Sequence, residues 1–409
     1  MLKKLLIIVF IVTLLMLLGF KANSEQKKAT WWTFASIDTM KYSRDLSREK
    51  LNDPSFNTTI NKQVAQIAAT GATHVAIATP YDEEFYPILK RWTNAARRNK
   101  LKVWFRGNWS GWEGWFNYPK ITRVEHIKKT QDFIKKHEDI FVDGDVFSAC
   151  PECENGGPGD PRRTGDVAGH RKFLIDEYNV TKAAFREINK NVASNFDSMN
   201  GDVARVVMDR DTTKALDGIV TIDHYVATPD KLTSDIKRLS KSTGGKIVLG
   251  EFGAPIPGIN GNLNEEDQAL WIRETMASLI QMPEVAGLNY WTNTGSTTAL
   301  WHEDGEAKKA VSELTSFYKA PIIKIVIKDE AGFGVKEAVL RLDGKKFSAD
   351  GKGDFYLPYF ENLNNVIVMA KGYFPKKSLL IKSDQITIIL SKENENLAYK
   401  VLKVIKNLF

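Results

Sequence analysis

Two glutamates stand where an apolar run breaks off among small residues. One lies in Ile247-Val248-Leu249-Gly250-Glu251-Phe252-Gly253. The other lies in Val146-Phe147-Ser148-Ala149-Cys150-Pro151-Glu152-Cys153, followed by Glu154-Asn155-Gly156-Gly157. Two carboxyls facing each other across a cleft suit glycosidic bond cleavage: the protonated one donates to the leaving oxygen, and the ionised one attacks the sugar or activates water. A third signal is Trp104-Phe-Arg-Gly-Asn108-Trp109-Ser-Gly-Trp112-Glu-Gly-Trp115-Phe116. Its tryptophans, Trp109 among them, suit a saccharide cleft, because sugar rings present apolar C–H faces to aromatic rings. Asp38, Asn195, Asp197 and Asn200 follow other apolar runs as weaker cleft candidates, and Asp223 is placed to orient His224.

These residues need a frame that brings distant segments to one mouth. Short apolar runs alternate with amphipathic stretches from Thr30 to Tyr318. The runs are Trp32–Ile37, His74–Ala78, Lys102–Arg106, Asp145–Ala149, Val192–Phe196, Gly218–Ile222, Lys246–Gly250 and Gly287–Trp291. Repeated β-α units imply parallel strands with crossover helices. Eight such units at this length predict an α/β fold, a (β/α)8 TIM barrel over residues 30–318. Active sites of such barrels sit at the C-terminal strand ends, where strands four and seven oppose Glu152 to Glu251. After Pro321 the texture changes to short alternating runs separated by Asp329-Glu330-Ala331-Gly332, Asp343-Gly344 and Asp350-Gly351-Lys352-Gly353, which predicts a small all-β sandwich over 321–391. An amphipathic helix is expected over 393–409, packing back on the sandwich or meeting an anionic surface.

The motifs resemble the glycoside hydrolase clan A superfamily, broadly its cellulase-like family five barrels. Gly250-Glu251-Phe252-Gly253 looks like the clan's strand-seven nucleophile. Trp291, ending Asn289-Tyr290-Trp291, resembles its aromatic platform under the reacting sugar. His224-Tyr225 resembles the His and Tyr kept near the nucleophile, although these are adjacent here rather than one residue apart. The resemblance also implies that Arg106 pairs with Glu251. It departs at strand four, where the clan has Asn-Glu-Pro and this chain has Pro151-Glu152. Glu152 is the expected acid/base, and Glu154, beside Asn155, is its rival. The resemblance implies a retaining β-glycoside hydrolase acting on a polysaccharide, with carboxyls about 5–5.5 Å apart rather than the roughly 6.5–9.5 Å of inversion. The missing Asn leaves a second reading, a non-catalytic cell-surface carbohydrate-binding barrel. Val326–Leu357 resembles the carboxypeptidase regulatory-like, prealbumin-like β-sandwich, which implies an accessory role.

The 409 residues carry a net charge of +7. From Lys319 onward, 16 Lys/Arg stand against 10 Asp/Glu. The barrel stretch is slightly acidic, which argues against a nucleic-acid partner. Lys3 and Lys4 precede the uncharged Leu5–Phe20, the pattern of an export signal over residues 1–24, either cleaved or kept as a membrane anchor. The protein is therefore expected outside the cytoplasm, secreted or held on the outer face. There, Cys150 and Cys153 can form a local disulfide, with free thiols, metal or redox use as the other options. No Gly-x-Ser-x-Gly elbow, His-Glu-x-x-His helix or phosphate loop occurs, and neither a metal nor a cofactor is expected.

Overall fold

The computed structural model describes residues 31–349 and 353–393; the expected export segment and, beyond Glu393, the expected tail helix lie outside them. Eight strands form the first part: β1 Phe34–Asp38, β2 His74–Ile77, β3 Lys102–Phe105, β4 Val146–Phe147, β5 Ser198–Asn200, β6 Ile219–Asp223, β7 Lys246–Phe252 and β8 Val285–Tyr290. They pair in the order β4-β3-β2-β1-β8-β7-β6-β5. Val146 forms a parallel bridge to Ala193, and the Phe147 N–H donates to the Ala193 carbonyl at 2.8 Å. That joins the two edges and closes a (β/α)8 barrel.

The strand faces alternate with period two, which builds the barrel interior in layers. Phe34, Ala76, Trp104, Val146, Phe196 and Val248 form one buried cluster, with Phe34, Trp104 and Phe196 meeting edge to face. Two residues further along their segments come Ser36, Arg106, Ser198 and Gly250, the polar layer toward the mouth. The helices outside have legible ends. Thr122 and Glu125 form a capping box at the start of Arg123–Lys136. Thr228 caps Pro229–Thr243, whose first residue is proline and whose C-cap is Gly244 at φ 73°.

Strand five corrects the expectation. The apolar run Val192–Phe196 supplies Ala193 to the bridge with β4, but pairing with β6 begins only at Ser198. The apolar signal marks the approach to the strand, while the paired residues, Ser198-Met199-Asn200, are mostly polar.

The second part contains β9 Ile322–Asp329, β10 Val339–Leu342, β11 Lys345–Ser348, β12 Asp354–Pro358, β13 Asn365–Met369, β14 Lys376–Leu379 and β15 Gln385–Leu390. They form two sheets, β11-β10-β13-β14 and β12-β9-β15. In β9, Ile323, Ile325 and Ile327 are buried in strict alternation. The sequence reading missed β11 because Lys345-Lys346-Phe347-Ser348 lacks an apolar run. This all-β part docks beside the entry to β1: Trp31 meets Phe347 and Phe360 at 5.7 and 5.3 Å, and Lys345 Nζ donates to the Trp31 carbonyl at 3.0 Å.

Candidate active site

Arg106, following β3, is 1% exposed and lies at the centre of the polar layer. Its Nη1 donates to Asp38 at 2.6 Å and to Glu251 Oε1 at 3.1 Å. Its Nη2 donates to Ser198 Oγ at 3.1 Å and to Asp223 Oδ2 at 3.3 Å. A buried guanidinium needs such partners, because removing charge from water is expensive unless it is compensated. Three carboxyls here share one cation. Burial, then the charge of Glu251, pushes Asp223 well above the usual carboxylate range. Burial also lifts Glu251, to about 7, opposed by Arg106 and Tyr225 and reinforced by Glu152 and Asp38. Of these two raised carboxyls, Glu251 keeps the shorter contact to Arg106.

The backbone around Glu251 is shaped for this arrangement. The β6–β7 register slips so that Ile222 faces Leu249 while Asp223 faces Glu251. Gly250 sits in the slip, and a Cβ there would lie 2.4 Å from Asp223 Oδ1 and 2.8 Å from Ser198 Cβ. The second oxygen of Glu251 accepts from the Tyr225 hydroxyl at 2.8 Å. Tyr225 in turn meets Trp291 edge to face at 6.0 Å. Trp291 is half-buried, and Lys41 Nζ lies 5.8 Å from its ring.

Glu152 follows β4 on an irregular loop. Its backbone is left-handed, φ 49°, a conformation costing about 1 kcal/mol in a residue with a Cβ and persisting only where neighbours enforce it. They do: the Glu152 N–H donates to the Ser198 carbonyl at 2.6 Å, and Cys150 and Cys153 on either side form a disulfide. Glu152 is half-buried, and its charge raises the carboxyls of Glu251, Asp223, Glu113 and Glu154 alike. Glu154 is 5% exposed; one oxygen accepts from the Asn200 N–H at 2.6 Å while the other has no hydrogen-bond partner. Burial lifts it to about 7. Asn155 is exposed, its N–H donating to the Glu152 carbonyl.

Several expected cleft residues have other tasks. Trp109 is 4% exposed, packs on Tyr81 and Phe133, and donates to Thr130 Oγ1 at 3.0 Å; it is a core residue, not a sugar platform. Trp112 stacks on Phe173 at 5.0 Å and donates to the Cys153 carbonyl at 3.1 Å. His224 holds the Glu251 carbonyl through its backbone N–H, but its ring turns to Asp235 at 3.0 Å, on the helix Pro229–Thr243. Asp223 accordingly serves Arg106 and Ser198 rather than His224. Asn195 donates to the Leu216 carbonyl, and Asp197 accepts from the Cys150 N–H.

Sequence reasoning missed Glu113, at the end of the short helix Ser110–Glu113. Burial pushes its carboxyl up to about 8, with Asn108 opposing and Glu152 adding. Glu113 stood in the tryptophan loop as a spacer; the polar pair Asn108 and Glu113, now joined at 2.6 Å, was the available signal. Ser198 was also missed, although it lies two residues beyond the inward-facing Phe196. Among the described residues, no group of three or more His, Cys, Asp and Glu could hold a metal ion, and no helix is long and apolar enough to cross a membrane.

No family model matches this chain, and no curated protein matches it. Solved structures do. The GH5_18 protein of Bifidobacterium longum, in complex with Manβ1-4GlcNAc, has a TM-score of 0.51 at 13% identity, covering 74% of this chain and 84% of that one. That likeness shows the barrel fold. A β-glycosidase follows at 0.49 and 13% identity, covering 71% and 96%. The β-glucuronidase 2 of Bacteroides uniformis reaches 0.47 at 10% identity, covering 81% of this chain and 44% of that one. The chain thus spans less than half the length of that glucuronidase.

Proposed function

We propose that the protein is an exported β-glycoside hydrolase acting with retention on a polysaccharide or oligosaccharide. The observation that carries the reading is the setting of Glu251. Arg106 and Tyr225 occupy its two oxygens at 3.1 and 2.8 Å, at the C-terminal end of β7, while the Glu152 N–H is tied to Ser198, which also holds Arg106. In this reading Glu251 attacks the anomeric carbon and the leaving oxygen takes the Glu152 proton. Glu152 next takes a proton from water, the water attacks the anomeric carbon, and Glu251 leaves as the carboxylate. Glu154 is the less suited acid: it is 5% exposed and one of its oxygens is tied to the Asn200 N–H. The half-buried Trp291, wedged against Tyr225, supplies the face on which the reacting sugar stacks. Neither a metal nor an organic cofactor is needed for this chemistry.

The Lys3-Lys4 and Leu5–Phe20 pattern supports export, with membrane contact if the segment is retained, and the Cys150–Cys153 disulfide suits an oxidising compartment. The all-β part serves as an accessory module of the prealbumin-like kind. Pro151 in place of Asn favours one second reading, a carbohydrate-binding protein that has lost turnover.

The test is reducing-sugar release from β-glucans, β-mannans and β-galactans by wild type and Glu251→Ala. Release by wild type alone supports the mechanism. Release by both removes Glu251 as nucleophile, and glycan binding without release by either moves the protein to the second reading.

A further inference from the structure

The sequence departure at strand four has a structural counterpart. Where the resembled barrels place Asn-Glu-Pro, this chain closes a four-residue ring: Cys150, Pro151, Glu152 and Cys153, with the two Cα atoms 5.2 Å apart. Only two residues lie between the half-cystines, and each constrains the turn. Pro151 fixes its own φ and has no N–H to satisfy. Glu152 takes the left-handed conformation that closes the turn.

The ring is fixed on all sides. Cys150 and Cys153 are 0% and 2% exposed. The Cys150 N–H donates to Asp197 Oδ1 at 2.9 Å, and Trp112 Nε1 donates to the Cys153 carbonyl at 3.1 Å. Asn108 Nδ2, which also holds Glu113, lies 3.6 Å from Cys150 Sγ. The decisive tie is Ser198. Its carbonyl accepts from the Glu152 N–H at 2.6 Å, while its hydroxyl accepts from Arg106 at 3.1 Å and donates to Asp223 at 2.8 Å. One residue of β5 therefore touches both the ring carrying Glu152 and the guanidinium carrying Glu251.

We infer that the Cys150–Cys153 disulfide is a positioning device, which fixes Glu152 relative to Glu251 through Ser198. The inference rests on the proposed glycosidase reading. The disulfide is buried on both sulfurs, so its role is to hold the turn rather than to switch with ambient thiols.

A misplaced acid affects substrates unequally. A leaving group that departs readily as an anion needs little protonation, whereas a poor one needs the acid fully. The experiment compares wild type, C150S/C153S and Glu152→Gln on 2,4-dinitrophenyl and phenyl β-glycosides of glucose, mannose and galactose. For the serine pair, kcat on the phenyl glycoside is expected to fall about 30-fold or more, with KM within about threefold of wild type. On the dinitrophenyl glycoside the first, glycosyl-enzyme-forming step, read as the pre-steady-state burst, should stay within about threefold. Glu152→Gln should show the same skew, more strongly. An equal loss on both substrates, or no loss, overturns the positioning role even if the enzyme is active. Absence of turnover by wild type on every aryl glycoside and of release from the β-glucans, β-mannans and β-galactans overturns the glycosidase reading itself, and this inference with it. Should the serine pair fail to fold, as judged by circular dichroism, the same comparison is made on wild type before and after reduction with TCEP, with free thiols counted; the same two patterns decide.

Discussion

The two sides of the barrel mouth are built differently. On the strand-seven side, Glu251 is the sixth residue of a seven-residue strand and is 6% exposed, with both oxygens occupied by side chains that follow β3 and β6. On the strand-four side, β4 has two residues, and Glu152 sits beyond it on a turn enforced by a disulfide and one carbonyl. On the proposed reading, the nucleophile is set in a buried ion cluster and the acid/base is left half-exposed. The comparison teaches that the second kind of placement can be achieved by covalent closure where regular strand is lacking.

The sharpest way to break this comparison is to remove each carboxyl in turn. Glu251→Ala should lower kcat by about four orders of magnitude or more on any substrate. Glu152→Gln should cost about 10²- to 10⁴-fold. Equal losses independent of leaving group, measured by steady-state kinetics, would erase the distinction between the two sides.

The ion cluster offers the next test. Arg106→Met leaves Asp38, Asp223 and Glu251 buried around no cation. Urea unfolding at pH 7 should show a loss of about 3–5 kcal/mol, larger than any single substitution in the disulfide loop.

The loop after β3 should respond instead to pH. The Glu113 carboxyl, raised by burial to about 8, keeps its proton in the folded chain while the unfolded chain releases it near the ordinary value of 4.5. Native protein thus binds more protons between those limits, so this group's contribution to stability is fully present below pH 4.5 and is lost as pH rises toward 8. Glu113→Gln should match wild type at pH 4.5 and exceed it by up to about 4 kcal/mol at pH 7.5. A constant difference across that range, measured by chemical denaturation, would remove Glu113 from the buried acid group.

The smallest effect is expected at His224→Gln. Its ring serves Asp235 rather than the Glu251 carboxylate, so kcat/KM should stay within about threefold of wild type. A hundredfold loss would return the imidazole to the site.

The same asymmetry governs what could be read from the sequence. Continuous apolar runs announced β2, β3, β6, β7 and β8, and a Glu closing the run at β7 announced the site, because full burial on both faces leaves no polar residue until the mouth. Trp109 and Trp112 misled because an aromatic side chain looks the same in a core as in a cleft. Asp38, Ser198 and Asp223 gather on Arg106 only once the barrel closes, and no local spacing encodes that closure. Glu113 was hidden for a related reason: it stands in the same loop as three tryptophans, and its tie to Asn108 shows only once that loop has folded.

The docking of the all-β part has a practical consequence. Trp31 precedes β1, so Phe347 and Phe360 grip the barrel at the ends of its strands opposite Glu251. A protein tethered to a bead or a sensor chip through β13 or β14 would present its cleft outward, free to receive insoluble fibres.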